Sequence, residues 1–131
     1  MRELKFRVWN GYKTKEFKAL DRFYVRVEDR YLEIKAYNYD KDYAIEQYTG
    51  LKDKNDKEIY EGDIIQEEIN LNTKMTDGTF KYKVFWNEEM LCWSLEHIGN
   101  ESIRDDLWEC NSSVEVIGNI HENPELLEGS E

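Results

Sequence analysis

Apolar and polar residues alternate along several stretches of the chain, and this pattern predicts β-strands. In the first stretch Leu4, Phe6 and Val8 alternate with Lys5 and Arg7. A period of two places every second side chain on the same face, as in a strand with one buried face. The same alternation occurs in residues 23–28, 31–37, 80–86 and 114–120, and residues 90–95 are expected to add a further strand.

Two turns are expected to join these strands into hairpins. Only Asp29 and Arg30 separate the second stretch from the third, so those two strands should pair. Asp77-Gly78 precedes the fourth stretch, and Asp-Gly favours a tight turn because both positions tolerate positive φ. Residues 64–69 are the expected partner strand before that turn.

Signals for helices are few and lie near the C-terminus. Ser102 is placed to cap a short turn that runs through Leu107 and Trp108. Asn123-Pro124 suits the start of a last helical turn, because Pro is tolerated at the first helical position. The sequence therefore predicts a mainly β fold with one or two short helical turns near the C-terminus.

The charge of the chain changes sign along its length. Residues 1–37 carry 10 basic and 6 acidic side chains, a balance of +4, whereas residues 38–131 carry 8 basic and 23 acidic, a balance of −15. We place a boundary near Asn38–Asp42, with an N-terminal β-meander in residues 1–42 and a compact barrel of short strands with a C-terminal tail in residues 43–131. Opposite patches of this kind can face each other within one chain or across a contact between copies of the chain.

The composition excludes several classes of protein. A net charge of −11 over 131 residues repels phosphate and weighs against binding to nucleic acid. No apolar stretch approaches the roughly 20 residues of a membrane helix, and no basic start followed by an apolar run marks export. The 2 Cys are not a disulfide framework. We therefore expect a cytoplasmic protein with no membrane partner.

Side chains suited to catalysis or to metal binding do not fall into known spacings. The His and Cys residues, Cys92, His97, Cys110 and His121, are not spaced as in a zinc finger or ribbon. Residues 53–58 mix acidic side chains with lysines that oppose a divalent cation, and they lack the full EF-hand loop. We expect no catalytic residue, no metal ion and no cofactor, and hence no enzyme.

The most specific stretch of the sequence is residues 48–65. Two glycines, Gly50 and Gly62, bound a polar turn at residues 53–56. The dipeptide Gly62-Asp63 then turns the chain into a strand. Glycines at such places usually supply positive φ or allow a close approach of the backbone. This stretch is expected to be a loop anchored on the body of the domain.

Two further parts of the chain are distinctive beside the loop at 48–65. The opening reads Arg2-Glu3-Leu4-Lys5-Phe6-Arg7-Val8-Trp9, and the ending reads Val116-Ile117-Gly118-Asn119-Ile120-His121-Glu122-Asn123-Pro124-Glu125-Leu126-Leu127. The opening, the loop and the ending resemble, in the same order, the YopX family of small phage and prophage proteins. Asp56 stands where that family often has Gly, His121 where it usually has Tyr, and Asn10 where it has an acidic residue.

The resemblance implies a β-rich fold whose second part is an SH3-like barrel. It also implies self-association, a phage genome as the source and, for the protein itself, the cytoplasm of the bacterial host. It assigns no function, and SH3-like barrels bind protein, peptide and nucleic-acid ligands alike.

Our first hypothesis is a non-enzymatic accessory protein that binds other copies of itself and a protein of the host. The contact surface is expected on residues 48–63 of the loop and on an exposed tyrosine patch formed by Tyr37, Tyr39, Tyr43 and Tyr48, because tyrosines carry much of the energy of protein interfaces. In the loop, two tyrosines are the expected anchors, acidic side chains provide charge selectivity and glycines hold the shape. The competing interpretation is that the loop only closes the barrel. The candidate residues are Tyr48, Thr49, Gly50, Asp53, Glu58, Tyr60, Glu61, Gly62 and Asp63.

The alternative hypothesis is an acidic mimic of DNA that inhibits a host enzyme acting on nucleic acid. The balance of −15 over residues 38–131 is its basis. A mimic must align carboxylates on one face as phosphates are aligned in a duplex. Its binding should collapse at high ionic strength, whereas binding through aromatic side chains should not.

Overall fold

Eleven β-strands and two short helices make up the part of the chain that this computed structural model describes. Its first unit comprises residues 1–48 and its second unit residues 49–131. The boundary expected at residues 38–42 lies outside the described residues. The structure describes residues 4–11, 16–20, 23–28, 31–36, 43–68, 79–100, 104–110 and 113–128.

The first unit is built from antiparallel strands. They are β1 (Phe6–Asn10), β2 (Glu16–Ala19), β3 (Phe23–Glu28), β4 (Tyr31–Ala36) and β5 (Tyr43–Lys52), which continues into the second unit. Strand β1 lies between β2 and the first half of β5, so that Val8 is paired with Lys18 on one side and Ile45 on the other. Phe6 and Val8 are buried, as their alternation predicts.

Strands β3 and β4 pair in the register expected of a hairpin. Phe23 lies opposite Ala36, and Glu28 lies opposite Tyr31. The predicted pairing is therefore confirmed, while its turn at residues 29–30 lies outside the described residues.

The second unit contains a five-stranded antiparallel sheet. The strands after β5 are β6 (Glu58–Tyr60), β7 (Asp63–Glu68), β8 (Thr79–Asn87), β9 (Cys92–His97), β10 (Arg104–Asp106) and β11 (Val114–Asn119). The order in the sheet is β10-β9-β8-β7-β11. The register is continuous from β7 to β9, but it shifts at a bulge between Val116 and Gly118 where β11 pairs with β7. This sheet curls into a half-barrel, and the mainly β class predicted from the sequence is confirmed.

One predicted strand boundary is wrong, and the error has a local cause. Met90 and Leu91 were expected in a strand, but they lie in the turn between β8 and β9. The Asn87 side chain holds that turn, because its Oδ1 accepts the N–H groups of Glu89 at 3.0 Å and Met90 at 3.2 Å. The Asp77-Gly78 turn before β8 lies outside the described residues.

The helical turns near the C-terminus are confirmed. Helix α1 (Leu107–Cys110) begins later than expected from Ser102, which lies outside the described residues, and Asp106 Oδ1 accepts the Trp108 N–H at 2.9 Å as its cap. A 3-10 helix (Pro124–Leu127) follows β11 and has Pro at its start, as predicted. No helix in the described part of the chain has the length and apolar character needed to cross a membrane.

The core of the second unit joins the inner face of the sheet to residues outside it. Alternating side chains of β7, β8 and β9 supply most of it, and one residue each comes from β6, α1 and β11. Such a cluster removes apolar area from water, at about 25 cal/mol per Å². Its buried members are Ile59, Ile65, Tyr82, Val84, Leu95, Leu107 and Val114.

We expect Leu107→Ala to lower the free energy of unfolding of the second unit by about 2–5 kcal/mol, because it leaves a cavity under a fully buried side chain. Leu127→Ala, at an exposed leucine of the same unit, should cost about 1 kcal/mol or less. Urea unfolding followed by circular dichroism and tryptophan fluorescence measures both. Equal losses in the two variants would show that α1 is not part of the core.

Candidate functional site

Residues 48–65, expected to form one loop, run from the end of β5 through a tight turn and β6 into the first residues of β7. Strand β5 runs to Lys52, the turn occupies residues 53–57, and β6 returns the chain at Glu58–Tyr60. Asp56 adopts φ 67°, so a non-glycine residue takes the left-handed conformation in this turn. The segment is therefore a structured hairpin rather than a free loop.

The buried carboxylate of Asp53 organises this turn. Its Oδ1 accepts the N–H groups of Asn55 at 2.8 Å and Lys57 at 2.9 Å. Its Oδ2 accepts the N–H of Val116 in β11 at 2.9 Å. The Lys54 N–H also donates to the Val114 carbonyl at 3.0 Å. The turn is thus fixed both to itself and to the last strand of the sheet.

The surroundings of Asp53 favour its charged form. Burial alone would raise its pKa, but the N–H groups of Val116, Lys57 and Asn55, together with the positive charge of Lys57, hold the pKa below its ordinary value of 3.8. Hydrogen bonds from backbone amides stabilise a carboxylate and not its protonated form. Asp53 is therefore a structural anion in the folded protein.

Gly62 and Asp63 form a second fixed point, where β6 turns into β7. Gly62 has φ 85°, its N–H donates to the Val84 carbonyl at 3.0 Å, and its own carbonyl accepts the Ile120 N–H at 3.0 Å. The buried Asp63 accepts the Tyr60 N–H on Oδ2 at 2.8 Å. A positive φ favours glycine at this position, as the sequence predicts.

Thr49 and Gly50 shape the end of β5 in the second unit. Thr49 Oγ1 donates to the Ile59 carbonyl at 2.8 Å and accepts the Leu51 N–H at 3.2 Å. Gly50 has φ 89°, and a Cβ placed there would meet no atom within 4 Å. Gly50 is therefore required by its backbone conformation and not by crowding.

The two predicted tyrosine anchors differ in their surroundings. Tyr48 was expected on an exposed patch, but it is only 6% exposed in the first unit, because it lies with the buried Glu46 on the covered face of β5. Its N–H donates to the Lys5 carbonyl at 2.8 Å, and Lys5 Nζ lies 5.4 Å from its ring centroid. Tyr43 is half-buried, and the rest of that patch, Tyr37 and Tyr39, lies outside the described residues.

Tyr60 and the acidic residues beside it are half-buried in the second unit. The Tyr60 hydroxyl donates to Glu58 Oε1 at 3.3 Å, and Glu61 lies in the turn that follows. The side chains that the turn at 53–57 presents to solvent are instead those of Lys54, Asn55, Asp56 and Lys57. Most candidate residues of this segment thus hold the hairpin in place.

The sequence analysis missed an exposed apolar cluster at one end of the second unit's sheet. We call Trp86, Met90, Leu91 and Trp108 the tip cluster; their exposed fractions are 39%, 71%, 72% and 72%. The sequence carried a local signal for part of this cluster, because the apolar pair Met90-Leu91 directly follows two acidic residues. It carried none for Trp108, which is distant in sequence from that pair.

Strand register brings the members of the tip cluster to the same end of the sheet. Trp86 lies opposite Trp93, and their rings meet edge to face with centroids 5.2 Å apart. Asp106 lies opposite Ser94, so α1 begins beside the start of β9 and contacts that strand. The turn with Met90 and Leu91 closes the same end.

Two of the four His and Cys residues weighed for chemistry, His97 and Cys92, lie against aromatic or hydroxyl side chains of the second unit. His97 lies edge-on to the Phe80 and Tyr82 rings, with centroids 5.1 and 5.6 Å away. Cys92 Sγ lies 3.4 Å from Ser94 Oγ. Within the described ranges, no group of three or more His, Cys, Asp or Glu side chains is arranged to hold a metal ion.

A cavity of about 230 Å³ opens beside His97, lined also by Lys83, Glu96 and Leu127. It is smaller than the roughly 300–1,000 Å³ typical of small-molecule sites. Glu96 forms two ion pairs there. Its Oε2 lies 3.9 Å from Lys83 Nζ, and its Oε1 lies 3.3 Å from Arg104 Nη2.

We expect Asp53→Asn to lower the free energy of unfolding by about 2–3 kcal/mol, because an amide NH2 cannot accept one of the three backbone N–H groups. The matched control is Asp56→Asn in the same turn, where the side chain is exposed and Asn tolerates the positive φ. That control should stay within about 0.5 kcal/mol of the unaltered chain. Urea unfolding at neutral pH measures both, and similar losses would contradict the anchoring role of Asp53.

The contribution of Asp53 should also depend on pH. Because its pKa is lower in the folded than in the unfolded chain, its carboxylate stabilises the fold above the unfolded value, and that contribution is lost as pH falls through the folded pKa. The difference in unfolding free energy between the unaltered chain and Asp53→Asn should therefore shrink as pH falls from neutral to below 3.8. A difference that stays constant in urea titrations over this range would refute the lowered pKa.

Comparison with known proteins finds a family and a solved structure that are similar to this chain. The YopX protein family model matches residues 5–128. Protein EF1440 from Enterococcus faecalis, seen in a crystal structure, is 28% identical to this chain in sequence. The match covers 98% of this chain and 100% of that chain, with a TM-score of 0.61. No curated protein matches. Since the family model spans nearly the whole sequence, the chain belongs to the YopX family.

Proposed function

We propose that this protein is a non-enzymatic accessory protein that acts by binding other proteins, both copies of itself and a protein of the bacterial host. Membership of the YopX family suggests a small protein of the phage type. The proposal adds a mode of action to that broad description.

The tip cluster is the observation that carries the proposal. Two tryptophans, a methionine and a leucine are exposed together at one end of the sheet. Exposed apolar clusters of this kind mark interaction surfaces, and Trp and Met are enriched in protein interfaces. Truncation of Trp at an interface often costs much of the binding energy.

The hairpin at residues 48–65 does not carry the proposal. Asp53, Asp63 and Thr49 use their side chains for hydrogen bonds inside the second unit. These bonds support the interpretation that the segment closes the domain. A role of this hairpin in binding stays a prediction, as does the absence of catalysis.

The test compares three forms of the chain in extracts of the bacterial host: the unaltered chain, the double variant Leu91→Ser with Trp108→Ser, and Leu127→Ser as control. After chemical cross-linking, the unaltered chain and the control should capture the same protein, and the double variant should lose most of it. All three substitutions replace exposed residues, so circular dichroism should show intact folds. Equal capture by all three, or no specific capture by any, would overturn the proposal.

Ionic strength separates this proposal from the acidic mimic of DNA. Binding driven by apolar side chains should persist in high salt, because screening weakens mainly exposed charge pairs. A mimic would instead lose its partner in high salt, equally for the unaltered chain and the double variant. That result would replace the proposal by the alternative.

A further inference from the structure

Carboxylates border the tip cluster in the turn between β8 and β9. Glu88 and Glu89 directly precede Met90, and the side chains of all three are exposed. Asn87 Oδ1 accepts the N–H groups of Glu89 at 3.0 Å and Met90 at 3.2 Å, which fixes this turn. The exposed acidic and apolar side chains of the turn are therefore held next to each other.

Carboxylates also border the cluster where β10 leads into α1. Asp105 is exposed and lies opposite Leu95 of β9. Asp106 lies opposite Ser94, and its Oδ1 accepts the Trp108 N–H at 2.9 Å. The strand register and this cap thus hold two acidic residues and the exposed Trp108 at the same end of the sheet.

No basic residue belongs to these segments. Residues 84–95 and 105–108 contain four acidic side chains and neither lysine nor arginine. Arg104 precedes them in β10, but its Nη2 lies 3.3 Å from Glu96 Oε1 and its Cζ lies 5.1 Å from the Phe85 ring centroid. Glu96 and Phe85 alternate with core residues along their strands, so they lie on the face of the sheet opposite the core. The border of the tip cluster is therefore negative.

Three exposed carboxylates, those of Glu88, Glu89 and Asp105, form what we call the acidic border of the tip cluster. We infer that the tip cluster binds a basic amphipathic segment of a host protein, in which lysines or arginines flank apolar side chains. The inference rests on the proposed function and names the chemistry of its partner. Complementary charges around an apolar contact fix its orientation and suppress wrong partners, while the apolar anchors supply most of the affinity. The exposed tryptophans add to this preference, because the face of an indole ring attracts a cation.

A lipid surface fits the same features less well. Tryptophan side chains can enter the interface of a bilayer, but the cytoplasmic surface of a membrane is negative. The acidic border would be brought against charges of its own sign. A protein segment that carries positive charge meets no such repulsion.

Titration with two synthetic peptides tests the chemistry of the partner. One peptide is an amphipathic sequence of leucine and lysine, and the other has glutamate in place of every lysine. Fluorescence anisotropy of the labelled peptides should show that the unaltered chain and Leu127→Ser bind the lysine peptide alone. The double variant Leu91→Ser with Trp108→Ser should have a Kd for that peptide about tenfold higher or more, as expected for truncated interface anchors. Binding of both peptides, of neither, or of the lysine peptide with equal affinity by the double variant would overturn the inference.

Two triple variants test whether the acidic border selects the partner. Each removes three exposed carboxylates, so the two variants have the same net charge. The border variant should bind the lysine peptide about fivefold more weakly than the remote variant, because it loses a few exposed ion pairs. Equal affinities would show that only the total charge matters and would overturn the inference. The border variant is Glu88→Gln with Glu89→Gln and Asp105→Asn, and the remote variant is Asp56→Asn with Glu125→Gln and Glu128→Gln.

The same triple variants in extracts of the bacterial host separate the inference from the proposed function. The border variant should capture less of the host protein than the remote variant, and high salt should shrink this difference because it screens exposed charges. Equal capture by these two, with loss in the double variant, would overturn the inference and keep the proposed function. No specific capture by any form would overturn both. Pelleting of the unaltered chain with anionic phospholipid vesicles, lost in the double variant, would also overturn the inference.

Discussion

The hydrogen bonds of one buried carboxylate, that of Asp53, fix the turn between β5 and β6 to the rest of the second unit. Asp53 accepts N–H groups from its own turn and from Val116, a residue far along the chain. Joining distant segments costs chain entropy, so the bond must be accompanied by packing. That packing follows immediately, because Ile59 in β6 lies in the core with Val114 of β11. Turn and core therefore fix each other's position.

Hydrogen-bonded polar side chains and exposed apolar side chains occupy different parts of the second unit. The hairpin at residues 48–65 uses its polar groups internally, through Asp53, Asp63 and Thr49. The tip cluster leaves large apolar side chains in water, although burying such surface is the main driving force of folding. A surface that folding leaves exposed in this way is available for association.

The tip cluster lies in a negatively charged part of the chain. Most of the negative charge lies after residue 37, and the tip cluster lies within acidic segments. The ion pairs that the second unit does form, such as Lys83 and Arg104 with Glu96, involve exposed or half-exposed groups and contribute little to stability. Uneven charge of this kind affects which partner binds and how fast more than it affects the fold.

The sequence alone determined the mainly β class, the β3–β4 pairing, the closing helical turn and the need for glycine at position 62, because each depends on neighbours a few residues away. Only the tertiary structure decided that Tyr48 is buried and that Trp86 and Trp108 share one end of a sheet. Alternation shows that a strand has two faces, but the elements that pack on the sheet decide which face is covered. Strand register and packing together therefore determined where this protein exposes apolar surface.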